Sequence, residues 1–61
     1  MIKRKELIAW LQANPRWREA DMLEIAAWCQ ALGASGKGTK QQLIARVTNA
    51  IGYAILRGDI R

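Results

Sequence analysis

The chain predicts a small all-α domain of three helices. Three observations carry this. Apolar residues recur at helical spacing in three separate segments, no segment alternates polar and apolar residues as a half-buried strand does, and strong helix stops separate the segments. With 61 residues there is room for one domain, taken as residues 1–61. A chain of this size buries only about 60% of its unfolded surface, so its core is small.

The first helix is expected over residues 3–14. Leu7, Ile8, Trp10 and Leu11 share a side, while Lys3, Lys5 and Glu6 point to solvent. Asn14-Pro15 ends it, because the residue before a proline is pushed out of the helical region. Asn14 could instead cap a short turn with Pro15 in its first position. Trp17 is the anchor expected from the connector that follows. The second helix starts at Asp21, and Glu24 three residues on has the spacing of a capping box. Met22, Ile25, Cys29 and Leu32 form its apolar stripe, with Trp28 at the edge. Gly33 fits the left-handed position that closes a helix.

The third helix is expected from about Lys40 to Leu56 or Arg57. Thr39 is a good N-cap and Gln42 completes a second capping-box spacing. Ile44, Val47, Ile51 and Ile55 make a stripe that Leu43, Ala50 and Ala54 widen. That stripe is longer than one short helix can cover. The N-terminal helix is therefore expected on its C-terminal half. Gly52 inside the helix costs about 1 kcal/mol relative to Ala, which close approach of another helix would explain. Gly58 is the natural stop.

The formal net charge is +5 and the pI about 10.2. This favours an acidic partner: nucleic acid, an anionic membrane surface or an acidic protein. The charge is unevenly spread. Lys3, Arg4, Lys5, Arg16 and Arg18 outweigh Glu6 and Glu19, and Lys37, Lys40, Arg46, Arg57 and Arg61 outweigh Asp59. The segment between carries only Asp21 and Glu24. Hydrophobic residues make up 51% of the chain, which excludes a disordered basic tail.

Chemistry has few groups to use. There is no His, and one Cys alone can form neither an internal disulfide nor a zinc site, so neither metal nor cofactor is expected. Cys29 sits among apolar neighbours and reads as a small buried core residue. Asp21 and Glu24 are better explained by a helix start than by acid–base catalysis. Gly36-Lys37-Gly38-Thr39 is superficially like a P-loop, but Gly38 interrupts the Gly-Lys-Thr order and no strand precedes it. The chain is not expected to be an enzyme. No apolar run approaches the roughly 20 residues of a membrane span. The run Leu7–Leu11 is shorter than the roughly 7–15 residues of a signal peptide's apolar region. With a lone Cys, an intracellular setting is expected, cytoplasmic or with the nucleoid or nucleus.

The most informative stretch is Gly33-Ala34-Ser35-Gly36-Lys37-Gly38-Thr39-Lys40, running into Gln41-Gln42-Leu43-Ile44-Ala45-Arg46-Val47. It brings two lysines and the open N–H groups of a helix N-terminus to one place, which suits an anion such as phosphate. The backbone N–H groups from Gly38 to Gln41, with Lys37, Thr39 and Lys40, are the expected phosphate ligands. Arg46 lies about 240° around the helix from Lys40. It therefore either flanks the patch or pairs with an acid such as Glu24. Lys3, Arg4 and Lys5 could add a basic arm. Set against this, lysines in a glycine loop are commonly only solvated. Trp10, Trp17 and Trp28 read first as core anchors. An exposed Trp17 between Arg16 and Arg18 would be the exception, since that triplet can lie against nucleic acid.

From Asp21 to Val47 the chain resembles the SAP motif, a helix–extended loop–helix module. Gly33 corresponds to the glycine ending its first helix. Gly38, Lys40, Leu43, Ile44, Arg46 and Val47 correspond to the pattern Gly-x-Lys-x-x-Leu-hydrophobic-x-Arg-hydrophobic without a gap. The sequence departs at Ala34, where a large apolar residue is usual, at Cys29, where leucine is usual, and at Leu32, where the family is often charged. LEM and helix-extension-helix modules share the architecture and do not all bind DNA. The resemblance implies phosphate-directed binding of double-stranded DNA with little sequence preference. Its site would be Gly36, Lys37, Gly38, Thr39, Lys40, Gln41 and Arg46, with Lys3, Arg4 and Lys5 as the arm. The alternative is a protein-interaction adaptor or inhibitor, of the kind phages and mobile elements carry. It would bind an acidic protein partner, or a second copy through Ile51, Tyr53 and Ile55. A membrane-surface peptide fits less well, because the basic residues do not line one face opposite an apolar one.

Overall fold

Helix ends position everything else in this molecule, and the C-terminal ends and the start of α3 are closed by identifiable groups. In the computed structural model, which describes residues 3–58, α1 spans Arg4–Ala13. Asn14 ties off its end: the backbone N–H donates to Leu11 O (3.2 Å) and Nδ2 donates to Trp10 O (2.8 Å). Pro15 then opens a short 3-10 helix, Pro15–Glu19, that drives Trp17 into the core. Helix α2 spans Met22–Ala31 and α3 spans Lys40–Leu56. Among the described residues there are three α-helices and no strand, so the fold is an all-α, small three-helix domain. Asp59 and Arg61, counted in the charge of the last segment, lie outside the described residues.

The end of α2 is a Schellman turn. Gly33 has φ +81°, its N–H donates to Gln30 O (3.0 Å), and the N–H of Ala34 donates to Cys29 O (2.8 Å). Gly58 plays the same part after α3, with φ +76° and its N–H on Ile55 O.

The core joins Leu7, Ile8 and Leu11 of α1, Trp17, then Ile25, Cys29 and Leu32 around α2, and Leu43, Val47 and Ala54 of α3. Helix α2 packs along α3. The C-terminal half of α3 borders the start of α1, where Arg4 shares a depression with Asn49, Tyr53 and Arg57. Cys29 is fully buried, its thiol donating to Leu43 O (3.4 Å). Burial pushes that thiol above its ordinary pKa, opposed by the positive charge of Arg46.

Four expectations about side-chain placement are corrected. Of the stripe Ile44, Val47, Ile51 and Ile55 expected on α3, only Val47 is fully buried, and Leu43 and Ala54, expected at its edge, form the buried line with it. Ile44 and Ile51 are half-buried and Ile55 is exposed, because α2, whose Cys29 thiol bonds Leu43 O, packs on the side of α3 that carries Leu43 and Val47. Met22 is exposed because it is the first residue of α2, a turn before the buried Ile25. Trp10 is 46% exposed: its indole lies on the surface against Trp28. A Cβ at Gly52 would meet nothing within 4 Å, so no helix approach requires this glycine.

Candidate nucleic-acid interface

The loop between α2 and α3 is held from three sides. Gly36 lies against α2, where an added Cβ would stand 3.1 Å from Ala26 O and 2.9 Å from Gln30 Nε2. Within the loop, the N–H of Lys37 donates to Ser35 Oγ (3.2 Å). From α3, Arg46 Nη1 donates to Ser35 O (3.1 Å) and to Lys37 O. Arg46 therefore does not pair with Glu24. It turns inward and satisfies carbonyls that the extended backbone leaves without ladder partners.

The start of α3 is closed by a complete capping box. Gln42 N–H donates to Thr39 Oγ1 (3.2 Å), and Thr39 N–H donates to Gln42 Oε1 (2.9 Å). Gly38, at φ +123°, makes this possible, since a Cβ there would run into Gln42 Oε1. The box changes the inventory of open donors. The N–H of Thr39 is occupied, so the expected row from Gly38 to Gln41 is broken. The N–H groups of Lys40 and Gln41, in the first turn, have no hydrogen-bond partner among the described residues.

Lys37 and Lys40 are exposed, and they flank this turn in sequence. The positive charge of Lys40 reaches Glu19, whose carboxyl is held below its ordinary pKa chiefly by a hydrogen bond from Arg16 and secondarily by Lys40. Arg16 Nε stands 2.8 Å from Glu19 Oε2.

The remaining candidates fall apart into groups. Lys3 and Lys5 are exposed at the start of α1. Arg4 instead lines a depression with Arg46, Asn49, Tyr53 and Arg57. Arg46 thus stands between the loop and a second basic region. Arg57 is the member that sequence reasoning passed over. The signal was present: it lies eleven residues after Arg46, about three turns on, and so on nearly the same face.

Among the described residues no group of three His, Cys, Asp or Glu side chains could hold a metal ion, and no helix is long and apolar enough to cross a membrane. The molecule is a small all-α domain with one braced basic loop. No family model, curated protein or solved structure matches it.

Proposed function

We propose that this chain is a non-enzymatic, intracellular DNA-binding module of SAP-like type. It holds the phosphates of double-stranded DNA at the start of α3, with little sequence preference. The observation that supports this most is the braced loop. Arg46 and the capping box fix a backbone that carries two exposed lysines beside the open N–H groups of Lys40 and Gln41. Such groups position a protein on the sugar-phosphate backbone without reading bases. Gly36, Gly38, Thr39 and Arg46 build this surface, Lys37, Lys40 and Gln41 present it, and Lys3, Arg4 and Lys5 supply a peripheral basic field.

One copy binds weakly in this reading, with Kd on the order of 10⁻⁴–10⁻⁶ M near physiological salt. The test is an amide NMR titration of the full chain with a short duplex at two salt concentrations. Shifts should cluster on Gly36 to Gln42 and fade at the higher salt. The double substitution Lys37→Glu with Lys40→Glu should abolish binding and leave the melting curve intact. Unchanged binding by that variant rules out the loop.

A second reading is an adaptor or inhibitor that meets an acidic protein or a second copy. It draws on the exposed apolar end of α3, where Tyr53, Ile55 and Leu56 are 60%, 51% and 85% exposed. Absence of duplex-induced shifts at low salt, together with a concentration-dependent sedimentation coefficient, would favour it.

A further inference from the structure

The three tryptophans come from three different elements and meet at one place. Trp28 of α2 is the centre. Its ring centroid lies 5.7 Å from Trp10 of α1 at an interplanar angle of 51°, and 6.4 Å from Trp17 at 80°. Trp17 is 5% exposed and forms a floor, while Trp10 is 46% exposed and forms a wall. A depression of about 390 Å³ opens here, lined by these rings with Asn14, Arg16, Glu19 and Glu24. On the other side of Trp10, Trp28 and Glu24 a second depression is lined by Leu7 and Ala27.

The two carboxylates differ. Glu19 is engaged by Arg16. Glu24 has no ion partner among the described residues, and it is not drawn into a capping box, because Asp21 makes no side-chain cap bond. An indole face carries negative charge density and attracts a cation placed over it, more strongly when the site is partly desolvated. The same cluster already holds one guanidinium at its edge: Arg18 Cζ lies 4.8 Å from the Trp17 ring centroid. Arg16 lines the first depression beside Glu19, whereas Glu24 is the one charged side chain lining the second. The second depression therefore suits a protein cation with an aliphatic stem that can lie along Leu7 and Ala27.

We propose that the Trp10–Trp28–Glu24 surface is a docking site for an arginine or lysine side chain presented by a basic, apolar segment of another protein. The guanidinium or ammonium stacks over the indoles and faces the Glu24 carboxylate. The site is separate from the loop before α3 and does not depend on DNA binding.

The full chain tests this directly, since all three of its tryptophans stand at the site and intrinsic fluorescence reports it. The probe is a blocked peptide of alternating arginine and leucine, compared with the same peptide carrying citrulline, a neutral isostere, for arginine. The arginine peptide should give a saturable change in emission, and the citrulline peptide should bind about tenfold more weakly. Glu24→Gln should weaken binding several-fold and Trp10→Ala should remove it. Trp10→Phe keeps a ring and should retain part of it, which separates loss of the site from loss of the fold. Lys37→Glu with Lys40→Glu should leave peptide affinity unchanged. Equal affinity for both peptides, an unaffected Glu24→Gln variant, or no saturable response overturns the proposal. A wild-type chain that sediments as a dimer, with emission that shifts on dilution, assigns the face to a second copy and overturns it too.

Discussion

Helices α2 and α3 begin with the same sequence device, and only one of them uses it. Asp21 and Glu24, like Thr39 and Gln42, stand at N-cap and third helical positions. The backbones entering the two helices are nearly the same, with Asp21 at φ −61°, ψ 149° and Thr39 at φ −76°, ψ 162°. Yet the Thr39–Gln42 box is closed at both hydrogen bonds and Asp21 makes no side-chain cap bond. The difference therefore lies in the side chains. Two carboxylates brought together at one helix start repel each other, whereas a hydroxyl and an amide do not. Gly38 also clears the space that Gln42 Oε1 occupies, and α2 is preceded by Ala20 instead. A spacing rule supplies candidates for a cap; charge and room decide which one forms.

The comparison can be attacked at several depths. The two helices are alike one residue further in, where Ile25 and Leu43 both have zero exposure. Leu43→Ala and Ile25→Ala should each cost about 2–5 kcal/mol, read from urea or thermal unfolding. A much smaller loss at either would mean that the helix is not held by its first buried turn. Gly38→Ala should cost about 1–3 kcal/mol, from the positive φ and the displaced Gln42 side chain. It should also shift the amide resonances of Thr39 and Gln42. Thr39→Ala should lose about 1 kcal/mol, and Asp21→Ala no more than a few tenths. Equal losses at the two caps would mean that the two helix starts are held alike.

The smallest expected effect comes from Glu19, held chiefly by Arg16 and more weakly by Lys40 at the start of α3. The Glu19 carboxyl has a lowered pKa in the folded chain, so its contribution is present above the unfolded value and is lost as pH falls through the folded one. Stability should decline slightly below about pH 4. Glu19→Gln should flatten that part of the pH profile, and a profile unchanged by the substitution would dismiss the Arg16–Glu19 pair as a contributor.

Helix boundaries were legible in this sequence because their signals are local. Pro15, Gly33, Thr39 with Gln42, and Gly58 each act within a few residues, and the structure uses every one of them. The core face of α3 was less legible. Isoleucines at 44, 51 and 55 outrank alanines at 50 and 54 in hydrophobicity, but a tight helix contact selects the smaller side chain, and Ala54 is fully buried. Trp10 looked like core for the same reason, although its burial depends on where Trp28 stands. In the loop, the residue types were visible and Arg46 was singled out. Its destination was not visible, because its partners are backbone carbonyls, which every residue has. Glu24 reads in the sequence as a cap residue one turn from Trp28, and only the three-dimensional arrangement adds the Trp10 indole beside it.

Arg46 has a consequence for how the molecule opens. Its side chain fastens Ser35 and Lys37 to the second turn of α3, so the loop cannot loosen while that turn stays wound and the guanidinium stays in place. Loop and helix then form one cooperative unit against solvent. Amide protons of the Ser35–Thr39 segment that are covered by this arrangement should exchange in step with those of the following turn, and not at the fast rate of an ordinary glycine-rich connector.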